Sequence, residues 1–305
     1  MRRAATRLRS AYRRHPVVVS TAGAVLVAAA LAVALAGDWH EIEAAIGAVP
    51  IWVIVVVVVL QVAWLAVRSE TWSVCICEAG GTVARRRLYP AASVGYLVNL
   101  LNGQLGLAVR IGALRRAAPE DSPRASVLAA TEVPIAVVEI ALAAIMSFTL
   151  VGPLGLPWWM PLVSLVAVLG IISALGRVAH RRREGVWSGL AVLRGMRGRN
   201  LVVALVVVAV CLQIGRNWFV LNAVGVEASV FDSVALLIGI AALGVLPVGP
   251  SVGAASAVIV FGSDGGAAAA AGAVLTATAA MAAICFAATA VLGSFRRPTP
   301  ALAAG

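Results

Sequence analysis

Six stretches of this chain are apolar over nearly the length needed to cross a lipid bilayer, or more, at about 17–36, 50–67, 125–151, 158–176, 200–221 and 266–293. A helix needs about 20 consecutive apolar residues to span the hydrocarbon core. Backbone inside lipid must satisfy its own hydrogen bonds, so such runs fold as helices. Two further runs, about 91–109 and 233–262, are apolar but interrupted by Gly, Pro or polar residues. Composition leaves no other reading: 62% of the residues are hydrophobic and 12% charged, too little charge to cover a water-facing surface. The first run is longer than a signal-peptide core and reads as a retained span.

Charge placement orients the runs. Arg2, Arg3, Arg7, Arg9, Arg13 and Arg14 precede the first span and place the N-terminus in the cytoplasm. The next link, with Asp38, Glu41 and Glu43 and no Arg, is outside. Arg68 and Arg85 to Arg87 mark the following link as inside. The interrupted run 91–109 then has Arg on both flanks, since Arg110, Arg115, Arg116 and Arg124 follow it. A single crossing would strand one basic cluster outside, whereas a re-entrant hairpin returns to the side it left. The link 177–199 carries seven Arg and is inside, and Glu227, Asp232 and Asp264 flank the second interrupted run, which reads as a hairpin from the outer face. With Arg296 and Arg297 inside, every Arg except Arg216 is cytoplasmic.

The expected fold is therefore an all-α polytopic membrane protein, with about six full transmembrane helices and two re-entrant helical hairpins from opposite faces. Its parts are a basic tail (1–15), a first span and outer loop (16–49), a first half (50–176), a basic inner loop (177–199), a second half (200–293) and a cytoplasmic tail (294–305). The halves resemble each other. Val55–Gln61 reads VVVVVLQ and Val206–Gln213 reads VVVAVCLQ; each leads to a Trp-bearing segment, a Ser-Val pair and a broken run, NGQLG or LPVGPSVG. The two copies run in opposite directions, which makes an inverted repeat, and paired broken segments in such repeats point to a transport site.

Charged residues within spans are expensive and usually face a cavity or a partner. Glu132 and Glu139 lie seven residues apart on one helical face. Glu139 and Arg216 fall at similar depths, so either they pair or both line one polar cavity with Glu132. Arg110, at the inner mouth of the first hairpin, suits a lipid phosphate through bidentate hydrogen bonds.

In this order and spacing the chain resembles the transmembrane (flippase) domain family of lysylphosphatidylglycerol synthases, as a stand-alone member without the aminoacyl-transferase domain. Arg68 to Trp72 resembles the family's basic-aromatic span end. Asn99, Leu100, Leu101, Gly103, Gly106 and Arg110 match its Asn-led segment, Glu132 its following acid, and Pro247, Pro250 and Gly253 its later Pro-Gly motif. Four family positions depart here: Asn102 stands for Pro, and three charged positions are neutral, Leu107 and Ser256 for acids and Val133 for a basic residue.

The resemblance implies a lipid translocase moving an amphipathic phospholipid or polyprenyl-phosphate lipid across the plasma membrane. The expected substrate-binding residues are Asn99, Asn102, Gly103, Gln104, Gly106, Arg110, Glu132, Glu139, Arg216, Pro247, Gly249, Pro250, Gly253 and Ser256. Glu132 and Glu139 are candidate proton carriers. The neutral family positions favour the alternative, a non-transporting scaffold or partner of a cell-envelope glycosyltransferase or lipid-modifying enzyme. The expected partners are membrane lipids with anionic headgroups and possibly such an envelope enzyme. No cofactor, metal or nucleic acid is expected. With no Lys in the chain, a Walker phosphate loop is excluded, and no His, Asp or nucleophile constellation suggests an enzyme.

Overall fold

The computed structural model describes residues 39–101, 103–151, 157–182, 184–244, 256, 260 and 265–295. The expected first span and basic tail, Asn102, the break containing Pro247, Gly249, Pro250 and Gly253, and the last ten residues lie outside them. The described residues form α-helices and short 3-10 turns. In chain order the helices are α1 (Trp39–Gly47), α2 (Ile51–Glu78), α3 (Arg85–Leu101), α4 (Gly103–Ala117), α5 (Ala125–Ala130), α6 (Glu132–Met146), α7 (Trp159–Arg181), α8 (Met196–Ala223), α9 (Val230–Gly244) and α10 (Gly265–Phe295). A 3-10 turn at Ser147–Leu150 extends α6, and another at Gly185–Leu193 precedes α8. Among the described residues, four stretches are long and apolar enough to cross a membrane: Ile51–Glu78, Ala125–Thr149, Trp159–Arg181 and Met196–Ala223.

The helix ends follow from local chemistry. Pro50, extended at φ −63° and ψ 142°, leads into α2. α2 stops where Gly80 turns left-handed at φ 90° and Gly81 N–H donates to the Ile76 carbonyl at 2.9 Å. α8 ends the same way, with Gly225 at φ 88° and Val226 N–H on the Leu221 carbonyl at 3.0 Å. Both are left-handed glycine caps in which the bond spans six residues. α9 starts on a capping box: Ser229 N–H donates to Asp232 Oδ2 at 2.8 Å, and Asp232 N–H donates to Ser229 Oγ at 3.3 Å.

α2 and α8 form the centre of the bundle and run antiparallel. Val53 and Val57 share one buried cluster with Val220 and Leu221, while Trp72 and Ile76 share another with Val202 and Val206. At 28 residues each, the two helices extend about 42 Å, more than the bilayer core requires. α3 and α4 form an antiparallel pair joined at residue 102, and glycine sets its spacing. A Cβ on Gly106 would sit 2.6 Å from Asn99 Cβ and 2.8 Å from the Gly95 carbonyl, and one on Gly95 would collide with Arg110 Cβ.

One sequence expectation changes, and two further features become visible. The run ending near residue 67 continues to Glu78, so Arg68 lies within α2 and not in a loop. The basic link 177–199 is packed: Leu190 and Val192 of its 3-10 turn are buried, and Arg194 ties it down through the carbonyls of Ala179, Arg182 and Trp187 at 2.7, 3.0 and 3.3 Å. α7 by contrast offers Val163, Val166, Leu169 and Ile171 to its surroundings, each at least half exposed. So wide an exposed apolar surface suits lipid and not water.

Candidate functional site

Between the two buried clusters of α2 the bundle opens into a cavity of about 540 Å³. α2 supplies one wall because Trp64, Leu65, Arg68 and Ser69 fall at helical spacing on its inward side. α3, α4, α6, α8, α9 and α10 supply the others.

One end is a four-membered ion cluster. Arg68 Nη1 donates to Glu139 Oε1 at 2.6 Å, and its Nη2 reaches Glu132 Oε2 at 3.5 Å. Arg110 pairs with the other oxygen of Glu132. Two cations thus meet two anions, and the cluster is neutral. Arg110 also lies over the Trp72 ring, with Cζ 4.1 Å from its centroid, a cation–π contact that holds the guanidinium flat. The Trp72 indole N–H donates to Thr131 Oγ1 at 3.0 Å, and that hydroxyl donates to the Leu128 carbonyl at 2.7 Å. Thr131 sits at the break between α5 and α6. Pro134, just beyond, has no N–H for the carbonyl one turn back, so the local sequence both breaks the helix and sets Glu132 at its restart.

The second polar group lies around Arg216 of α8. Arg216 Nη1 donates to Gln61 Oε1 and Nη2 to Asn217 Oδ1, the latter at 3.2 Å. Gln61 Nε2 in turn donates to the Tyr96 hydroxyl at 2.8 Å. Gln61 and Arg68 are seven residues apart on α2, so the two polar groups are separated by about 10 Å along its axis. The wall between and beside them is apolar, with Met146, Leu237, Ile240 and Leu275.

The structure brings Asn99, Gly106, Arg110, Glu132, Glu139 and Arg216 of the expected set to this one cavity. Gly103 and Gln104 begin α4, and the Gln104 side chain lies outside the described residues. Ser256 is buried 3.4 Å from where a Gly239 Cβ would stand, behind the α9 wall. Of the two arrangements expected for Glu139 and Arg216, the direct pair does not form, and the shared cavity with Glu132 is the one observed. Glu139 is taken by Arg68, and Arg216 is held by the Gln61 and Asn217 amides and the Tyr96 hydroxyl; equal depth on two helices does not mean that their side chains face each other. Arg110 is likewise engaged by Glu132 and not free at a mouth. Sequence reasoning missed Arg68, Gln61 and Tyr96. The signal was available for the first two: continuing the helical period of α2 past residue 67 puts both on the face that carries Leu65 and Trp72.

A bundle of bilayer-length apolar helices around an internal cavity with charged groups and apolar walls defines a multi-pass membrane protein. The sequence model described as the lysylphosphatidylglycerol synthase TM region matches residues 20–293, and the chain belongs to that family. No curated protein matches the chain, and no solved structure does.

Proposed function

We propose that this protein is a lipid translocase of the plasma membrane, moving an amphipathic phospholipid or polyprenyl-phosphate lipid without chemical change. The observation that carries this reading is the cavity, which joins a neutral cluster of four charged side chains to apolar walls inside a bundle of membrane length. A headgroup entering there exchanges one polar environment for another and avoids the cost of bare hydrocarbon. Arg68 and Arg110 already share Glu132, so either can trade a carboxylate for a ligand oxygen while the other stays neutralised. The glycerol and first methylenes of the lipid lie against α9 and α10.

The antiparallel α3–α4 pair acts as a re-entrant hairpin from the cytoplasmic face, and the stretch 233–262 as its counterpart from the outside. Support for the inverted repeat comes from α2 and α8, which are antiparallel, equal in length and ended by the same glycine cap. The termini lie in the cytoplasm, and the protein is not an enzyme.

The test is reconstitution into vesicles carrying headgroup-labelled lipids, with dithionite or enzymatic access reporting on transbilayer movement. Movement above that of protein-free vesicles is expected for at least one lipid and is expected to fall when Glu132 is replaced by Gln. Movement equal to empty vesicles for every phospholipid and polyprenyl-phosphate tried refutes the reading and leaves the scaffold alternative.

A further inference from the structure

The basic end of the α3–α4 pair holds a second cavity, apart from the one described above. α3 begins with Arg85, Arg86 and Arg87, and the antiparallel α4 ends with Arg115, Arg116 and Ala117, so both basic clusters stand at one end of the pair. A groove of about 410 Å³ lies between the two helices there, within the roughly 300–1,000 Å³ usual for ligand sites. Arg86 and Arg87 line it at the helix end, and Pro90, Ala91 and Val94 of α3 line it with Ala113 of α4 further in. It shares no lining residue with the central cavity. Local chemistry explains the space. The alanines leave room that larger side chains would fill. Pro90, inside α3, has no N–H, so the Arg86 carbonyl lacks its helical donor.

Ion pairs neutralise two of these Arg: Arg85 with Glu70 at 2.8 Å and Arg87 with Asp121 at 3.1 Å. Arg86, Arg115 and Arg116 are exposed and have no ion pair among the described residues. The adjoining link 118–124 adds one unpaired acid, Glu120, and one more Arg, Arg124. Glu78 turns instead to the start of α8, with Oε1 3.0 Å from where a Gly198 Cβ would stand. The end of the pair is therefore positive, and Arg86 brings that charge to the groove. Val94 lies eight residues beyond Arg86, about 12 Å along α3, and is 41% exposed. Over that length the lining passes from guanidinium to Pro, Ala and Val. A free anion would use only the first end. A phospholipid uses both, with its headgroup on the cation and its chain along the apolar floor, and basic pockets between membrane helices bind anionic headgroups in this way. We propose that this groove holds a resident anionic phospholipid, with Arg86 on the headgroup phosphate and Pro90, Ala91, Val94 and Ala113 along the chain. Close contact at Gly95 and Gly106 locks the two helices together, so the occupant braces the pair that presents Asn99 and Arg110 to the central cavity. The proposal stands whether or not lipid moves through that cavity.

The experiment places the full chain in detergent with phosphatidylglycerol (anionic) or phosphatidylcholine (zwitterionic), each carrying a diazirine in one acyl chain. Photocrosslinking and peptide mapping then read where each lipid lies. The anionic lipid is expected to label residues 90–94 and 113–117, and the zwitterionic lipid to label them several-fold less. Arg86→Gln should weaken this labelling by about tenfold, the worth of one charged hydrogen bond. Arg116→Gln removes an exposed Arg that does not line the groove, and should weaken it about threefold or less. Val94→Trp fills the groove from its exposed side and should abolish labelling at 113–117 while leaving any labelling of the central cavity. Arg86 and Val94 are both exposed, so neither change disturbs the core. Labelling confined to the central cavity overturns the proposal. So does an equal loss in Arg86→Gln and Arg116→Gln, which marks a general basic surface, or equal labelling by the two lipids. Displacement of the lipid by inorganic phosphate at matched ionic strength overturns it too, since the groove would then be an anion site without a place for the chain.

Discussion

Glu132 is the side chain on which the ion cluster turns, and replacing it by Gln should destabilise the protein far more than the same change at Glu139. Glu132 contacts both Arg68 and Arg110, and its side chain is 15% exposed, with Arg110 at 13%. Removing the carboxylate leaves Arg110 without a counter-charge beside it among the described residues, and breaking a buried pair in this one-sided way costs about 3–5 kcal/mol. Glu139 contacts Arg68 alone, and its side chain is 39% exposed. Its greater exposure to the cavity weakens that pair, so Glu139→Gln should cost about 1 kcal/mol or less. The double variant Glu132→Gln with Arg110→Met removes both charges and restores neutrality. It should recover a coupling of about 1–3 kcal/mol relative to the sum of the single changes. The assay is reversible unfolding in mixed detergent micelles, followed by circular dichroism, for the unmodified chain, the three single variants and the double variant. A Glu139→Gln cost equal to or above that of Glu132→Gln, or additivity in the double variant, would refute the arrangement of the cluster.

Gly106→Ala should lose about 1–3 kcal/mol through overpacking against Asn99 and Gly95. Gly112→Ala on the same helix meets nothing within 4 Å and should be neutral or stabilising in the same unfolding assay. Cys75 is buried and Cys77 exposed, so maleimide should label Cys77 in the folded protein and reach Cys75 only after denaturation, as peptide mapping would record. Arg194→Ala removes donors from three carbonyls of the 177–199 link, and limited proteolysis should then cut that link several-fold faster while the helical content stays unchanged.

What could be read in advance divides by the kind of physics involved. Four of the six expected spans and the glycine break at the α3–α4 turn were legible because each is a local consequence of lipid as solvent. Apolar length makes a helix, and NGQLG supplies the small residues that close packing requires at Gly106. The limits of α2 were less legible, since Arg68 and Glu70 end a hydropathy run without ending a helix. The true stop is the left-handed turn at Gly80, a conformational signal that charge counting ignores. That misplaced boundary kept the direct Glu139–Arg216 pair open beside the arrangement observed, in which both line one cavity with Glu132. With Arg68 assigned to a loop, Glu139 had no basic partner at its depth except Arg216. Once α2 runs on, Arg68 enters the membrane-level count, takes Glu139 and shares Glu132, and Arg216 is left with amides and the Tyr96 hydroxyl. The charge total explains why this matters beyond the bookkeeping of pairs. A Glu139–Arg216 bond would have left the surplus positive charge on the Arg68–Arg110 side of the cavity. The observed pairing moves it about two helical turns away, onto a guanidinium whose neighbours orient it without neutralising it. Where the surplus positive charge of the described cavity lining sits is therefore decided by where α2 ends.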